Sequence, residues 1–189
     1  MTTHALIPRI ISHWKIASWA SNLFIISSGV ISISLLAQIA VPLPYTPVPI
    51  TGQTFGVLLI ALTFGWWRSF STTLIYITIG TLGAPVFAAG RGGLSWGPTL
   101  GYLIGMLVSS LVVGYVVDRG WTKTPLRCAM AALLNSIFIF SFGLMVLSLF
   151  IPKEHLLAAG LWPFIPGDLI KSLLAVGMVQ PVQKLLKNI

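Results

Sequence analysis

Acidic residues are nearly missing from this sequence: three Asp or Glu stand against eleven Lys or Arg in 189 residues. No two of the three (Asp118, Glu154 and Asp168) are close in the chain, so a catalytic pair of carboxylates is hard to build. All charged residues together make up 7% of the chain, against about 25% in an ordinary soluble domain, too few to cover a soluble surface. The single cysteine, Cys128, forbids an internal disulfide. It stands either as a reactive thiol or as a small apolar helix residue near a membrane interface. His4 and His13 sit in a polar N-terminal stretch and His155 in a later connection, without the helical spacing of a His-Glu-x-x-His metal site. No Gly-Lys-Ser or Gly-Lys-Thr closes a phosphate loop, so any ATP-derived energy has to come from another protein. There is no low-complexity tract, no soluble domain and no clear internal repeat, which weighs against an inverted-repeat transporter. Residues 1–19 carry Arg9 and Lys15 but no apolar core ahead of a small-residue cleavage site, so a secretory signal is not expected. The net charge of +8 is spread singly between apolar runs. Nucleic-acid recognition needs basic residues gathered on one face, and that partner is excluded.

What the chain has in abundance is apolar length. Residues of the apolar class make up 56% of it. About 20 such residues cross the hydrocarbon core as a helix. Six runs fit, near residues 20–41, 51–67, 69–87, 98–117, 126–151 and 166–182. The fold class expected is an all-α integral membrane protein: one domain over 1–189, with residues 1–19 as a cytoplasmic tail and membrane lipid as its surroundings. With six crossings, Arg9, Lys15, Arg68, Arg119, Lys123, Arg127, Lys184 and Lys187 share one side, eight in all, while Arg91 and Lys153 occupy the other and Lys171 falls inside the last run. Cytoplasmic loops carry the excess of Lys and Arg, so both termini are expected in the cytoplasm. Trp66, Trp67 and Arg68 read as an interfacial anchor.

Three places could carry chemistry. Between Val41 and Thr51, four prolines restrict the backbone and discourage helix, giving an extended, stiff segment that is either a rigid connector or a lid over an outward-facing cavity. Pro44, Tyr45, Pro47 and Pro49 are its candidate lid residues. The segment Gly90-Arg91-Gly92-Gly93 permits unusual backbone angles and could form an anion nest beside a guanidinium, although Arg91 could equally be a snorkelling interfacial residue. In Pro166-Gly167-Asp168-Leu169-Ile170-Lys171, the two charges are three apart and share a helix face. Each costs about 2.5–3.5 kcal/mol at a helix centre on insertion scales. They form either a capping aspartate with a snorkelling lysine, or a polar pair lining a ligand cavity.

Taken together, Val41-Pro42-Leu43-Pro44-Tyr45-Thr46-Pro47-Val48-Pro49-Ile50-Thr51-Gly52-Gln53-Thr54-Phe55, then Gly83 to Gly93 with Gly97-Pro98-Thr99-Leu100-Gly101-Tyr102-Leu103-Ile104-Gly105, then Pro166 to Lys171, resemble the BioY family, the biotin-specific S components of energy-coupling factor transporters. The resemblance covers nearly the whole chain from the first run to the last. It implies a six-helix S-component fold, no enzymatic activity, no cofactor, and biotin captured from outside in a multi-pass protein of the cytoplasmic membrane. It further implies partners: a membrane scaffold protein and two ATPases. Two positions depart from the pattern. Gly52 stands where a larger apolar residue, often Leu, precedes Gln-Thr-Phe, which would loosen the lid hinge. The first run offers Ser28 and Ser32, with Gly29 and Ser34 nearby, for docking to the scaffold instead of an Ala-x-x-x-Ala stripe.

Biotin presents a ureido ring, an apolar bicycle and a carboxylate. Asp168 suits the ureido N–H groups and Lys171 lies on the same wall. Arg91 suits the carboxylate, and Gln53, Tyr102, Phe87, Trp96 and Gly93 complete the candidate contacts. Which donor meets which end stays open. The rivals are an S component for another small vitamin, a lipid-active membrane enzyme and a structural subunit. The enzyme lacks a nucleophile–base pair, and the structural subunit leaves Asp168, Lys171 and Arg91 unexplained.

Overall fold

The computed structural model describes residues 5–12, 17–93 and 96–187; His4, His13 and Lys15 lie outside them. The chain is mostly helical. A short α1 (Leu6–Ser12) precedes α2 (Ser18–Ala37). A two-stranded antiparallel hairpin, β1 (Ala40–Val41) and β2 (Ile50–Thr51), then pairs Ala40 with Thr51 and Val41 with Ile50. After it come α3 (Gln53–Phe64), α4 (Trp66–Thr81), α5 (Leu100–Asp118), α6 (Pro125–Leu147), a short α7 (Leu156–Gly160) and α8 (Ile165–Lys187). Among the described residues four stretches are long and apolar enough to cross a membrane: Ser18–Ala37, Leu100–Asp118, Pro125–Leu147 and Lys153–Leu185. The helix Gln53–Phe64 is apolar but shorter.

The element ends follow local chemistry. Gly65, at a φ of 82° that side chains with a Cβ rarely adopt, turns α3 into α4. The exposed N–H of Trp66 at the start of α4 donates to Asp118 Oδ2 at 2.9 Å, so a carboxylate from the end of α5 satisfies one of the free amides of a helix N-terminus. Arg68 Nε donates to Asn22 Oδ1 at 2.9 Å, which ties α4 to the start of α2. The third apolar run continues to Phe87 in the sequence, but α4 stops at Thr81 because Gly83 takes a φ of 108° and Pro85 has no amide to extend the helix. Pro125 begins α6 behind a Thr124 cap that accepts from Arg127 N.

The tightest helix pair is α5 against α6. Gly101 and Gly105 leave no room for a Cβ, which would lie 2.3 Å from the carbonyl oxygen of Phe142 and 2.7 Å from the Cα of Ile139 respectively. Within a bilayer, small residues of this kind let helix backbones approach and replace the hydrophobic drive available in water. Ser109 Oγ donates to Asn135 Oδ1 at 3.0 Å inside this seam.

Two apolar clusters divide the interior. One joins Ile25, Ile33, Val57, Ile60, Tyr76, Tyr102, Met106, Ile139 and Leu147. The other joins Leu58, Leu62, Val113, Val117, Cys128, Ala131, Ala175 and Val179. Residues Ala5 and Leu6 belong to the second cluster and are almost fully buried. Part of the stretch expected as a polar tail is therefore a helix packed against α3. Cys128 is buried in the same cluster, as expected of a small apolar helix residue. On α8, Gln180 Nε2 and Gln183 Nε2 donate to the backbone carbonyl and the hydroxyl of Thr122, between α5 and α6. Together with the Asp118–Trp66 bond, these contacts gather Arg68, Arg119, Lys123, Arg127 and Lys184 at one end of the bundle.

Candidate ligand-binding cavity

At the opposite end lies a cavity of about 320 Å³. Its roof is the end of the hairpin, Val48 to Thr51, and its floor includes Met106 and Ile139. One wall is the segment Phe87–Gly93, and another is the start of α8 with Asp168 and Lys171. Phe164 stands between Tyr102 and Phe140, with ring centroids 6.2 and 6.4 Å away, and forms an aromatic side. The lining thus combines apolar and aromatic surface with a few convergent polar groups, the make-up of a small-molecule site.

The two charges of α8 are held by different neighbours. Helix α8 begins at Ile165, so Asp168 sits inside the first turn, and its amide already donates to the Phe164 carbonyl at 2.9 Å. Asp168 is therefore not a helix cap. Its Oδ2 accepts a hydrogen bond from Ser136 Oγ on α6. Lys171 is half-buried, with its ammonium held by protein groups. Its Nζ donates to the carbonyl oxygen of Thr51 at 2.7 Å and to Thr54 Oγ1 at 3.1 Å, which ties α8 to the hairpin and to the first turn of α3. A carboxylate with a free oxygen and an ammonium with a remaining donor then share one wall.

Gln53, Phe87, Arg91, Gly93 and Tyr102 all line the same cavity. Gln53 Oε1 accepts from Thr51 Oγ1 at 2.9 Å. The hydroxyl of Tyr102 donates to the Gly160 carbonyl at 2.8 Å, so Tyr102 offers the cavity its ring face while its polar tip is already bonded. Arg91 is exposed at the mouth.

Of the proline-rich residues, Pro49 reaches the cavity, whereas Pro44, Tyr45 and Pro47 are exposed on the outside of the hairpin. Trp96 is 80% exposed and lines no part of the cavity, which suits an amphipathic ring at a membrane interface. Gly52 has a packing reason to be glycine. It is buried, donates its amide to Ile39 O at 2.9 Å, and a Cβ there would lie 2.4 Å from the backbone oxygen of Leu36. Glycine is what lets the hairpin close against α2.

On α2, Ser28 Oγ bonds the Ile25 carbonyl and Ser32 Oγ the Ser28 carbonyl, each at 2.8 Å. Ser32 is exposed and Ser28 half-buried, while Gly29 faces inward against Thr72 and Phe64. Sequence patterning missed Ser136, Thr51, Thr54 and Phe164, which hold or face the charged wall. The signal for Ser136 was present in Asn135-Ser136, a polar pair in the middle of an apolar run.

A profile described as the BioY family matches residues 9–188. The chain belongs to this family. The biotin transporter BioY of Rhodobacter capsulatus is 36% identical over 162 residues, with 74% of this chain and 84% of that protein covered. The probable biotin transporter BioY of Pyrococcus horikoshii is 34% identical over 152 residues, covering 79% and 88%. Among solved structures, the S-component for biotin from an ECF-type ABC transporter superposes with a TM-score of 0.81 at 26% identity, covering 89% of this chain and 95% of that one. This BioY-family chain is accordingly a membrane transport protein of the S-component fold.

Proposed function

We propose that the chain is the biotin-binding specificity subunit of a biotin uptake system in the cytoplasmic membrane, working with a membrane scaffold and two ATPases. The observation that carries this is the cavity in which Asp168, Lys171, Gln53 and Arg91 meet around apolar and aromatic walls. Its volume of about 320 Å³ lies at the low end of the ~300–1,000 Å³ common for small-ligand sites. That size suits a bicyclic vitamin with a short chain. Asp168 Oδ1 is the acceptor for a ureido N–H, Lys171 supplies a donor on the same wall, and Arg91 at the mouth faces the biotin carboxylate. Asp168 and Lys171 are half-buried, and the lower local dielectric strengthens their bonds relative to those of the exposed Arg91.

Six helices, α2 to α6 and α8, cross the membrane in this proposal, with both termini in the cytoplasm. The gathering of Arg68, Arg119, Lys123, Arg127 and Lys184 at the end away from the cavity supports that orientation. An impermeant thiol reagent applied to intact cells should then leave a cysteine placed near the C-terminus unlabelled; labelling from outside would reverse the topology. The deciding experiment for the ligand is equilibrium binding of biotin to the purified protein in detergent. Saturable one-to-one binding is expected, and binding of a different vitamin in place of biotin would move the chain to another substrate.

A further inference from the structure

Tyr76, on α4, is fully buried and lines no part of the cavity. Its hydroxyl nevertheless joins two of the cavity's walls. It accepts a hydrogen bond from Gln53 Nε2 at 2.6 Å and donates one to the Val86 carbonyl at 3.0 Å. Gln53 in turn accepts from Thr51 Oγ1, and the Thr51 carbonyl accepts from Lys171 Nζ. On the other side, the Tyr76 ring packs edge-on against Phe87, with centroids 5.6 Å apart and planes at 80°. The Phe87 amide donates to the Arg91 carbonyl at 2.9 Å, closing the loop that carries the Arg91 side chain. A continuous path of bonds and ring contact thus runs from Lys171 through Thr51, Gln53, Tyr76 and Phe87 to Arg91. One hydroxyl, using its single proton and a lone pair, is the node between the start of α3, which Gln53 bonds to the hairpin through Thr51, and the α4–α5 connection. In a buried setting, losing either bond leaves its partner unsatisfied.

We infer that Tyr76 is a positioning residue that fixes the hairpin end and the Phe87–Arg91 segment relative to each other, so that the Lys171 and Arg91 sides of the cavity are set at one spacing before ligand arrives. This rests on the biotin reading of the cavity and adds to it how the site is held in shape. A preorganised site avoids part of the ordering cost of binding, and its loss is felt mainly in dissociation. Tyr76 itself touches no ligand.

The test uses Tyr76→Phe, which keeps the ring and its contact with Phe87 but deletes both hydrogen bonds. Biotin should leave this variant roughly three- to tenfold faster, a part of what two neutral hydrogen bonds contribute because Tyr76 acts on the site only through its neighbours, with association little changed. Amide hydrogen exchange supplies the second measurement and needs no ligand. In the parent protein the amides of Gly52 and Phe87 should open at one shared rate; in Tyr76→Phe both should open faster and at separate rates, while amides in the α5–α6 seam stay as slow as before. A purely structural role would instead speed exchange throughout the bundle. Unchanged biotin dissociation from folded Tyr76→Phe, or independent opening of the two amides in the parent, would overturn the inference. If the parent protein holds no biotin, it is the ligand assignment that fails, and the exchange result still decides the role of Tyr76.

Discussion

Lys171 and Thr51 are 120 residues apart in the chain, and the ammonium of one donates to the backbone carbonyl of the other at 2.7 Å. The bond joins the last long helix to the strand that ends the proline-rich segment. It makes Lys171 a latch on the cavity roof as well as a charge on its wall. Lys171→Met keeps the aliphatic stem and removes both functions. Biotin affinity should fall by roughly tenfold or more, the scale of a charge-assisted bond. In the parent, biotin should slow amide exchange over residues 42–51, because ligand beneath the roof holds it closed. In Lys171→Met that protection should shrink. A segment equally protected with and without biotin in the parent would not be a lid.

Asp168 carries the proposed ureido contact. Asp168→Asn retains size and can keep a bond with Ser136, so the fold should persist. It replaces a pure acceptor with a group that also donates, and the ureido N–H groups need an acceptor. Affinity should drop by about tenfold to a hundredfold, corresponding to ~1.5–3 kcal/mol for a bond to a charged group. Ser136→Ala should cost less, since it frees the carboxylate without removing it. Titration calorimetry of the three proteins checks the order, and parent-like binding by Asp168→Asn would move the polar site toward Gln53 and Arg91.

Gly52 bears on stability. A Cβ there meets the Leu36 carbonyl oxygen at 2.4 Å, and backbone cannot move aside as a flexible side chain can. Gly52→Leu should therefore destabilise the ligand-free protein by about 1–3 kcal/mol, as overpacking does. Thermal unfolding in detergent reads this directly. An unchanged or higher midpoint would mean that the hairpin can shift away from α2 without loss.

The exposed face of α2 is the proposed contact with the scaffold. Ser32 is exposed there, and its hydroxyl is satisfied by the Ser28 carbonyl. Its small side chain leaves room for another helix to approach beside the exposed Ile31 and Leu35. Ser32→Leu should lower biotin uptake by cells several-fold while equilibrium binding to the purified chain stays at the parent value. Normal uptake would remove this face as the docking site.

How much of this could be read from sequence depended on the physical signal. The long helices were legible because single charges punctuate apolar runs, and their order survived with shifted ends. The end of α4 was misplaced because Leu82 to Phe87 continues apolar in composition while Gly83 and Pro85 end the helix by backbone geometry. Helix α1 was missed because its apolar residues form too short a run among polar neighbours to register as a span. In the site, Asp168, Lys171 and Arg91 stood out because a charge within or beside an apolar run is costly. Ser136, Thr54 and Tyr76 did not. Hydroxyls are common in such helices, and many simply bond a carbonyl one turn back, as Thr63 does to Leu59 and Thr73 to Ser69. Only three-dimensional contact separates the few that organise a cavity from the many that do not.

The burial of Ala5 and Leu6 also bears on how the protein is handled. A chain trimmed to begin at Ser18, where the first long helix starts, would lose two side chains that fill the apolar cluster around Leu58, Leu62, Val113 and Val179. The gap would open at the end of the bundle away from the cavity, where detergent tails can enter once the bilayer is gone. Shortened versions should be judged by monodispersity before their ligand binding is compared.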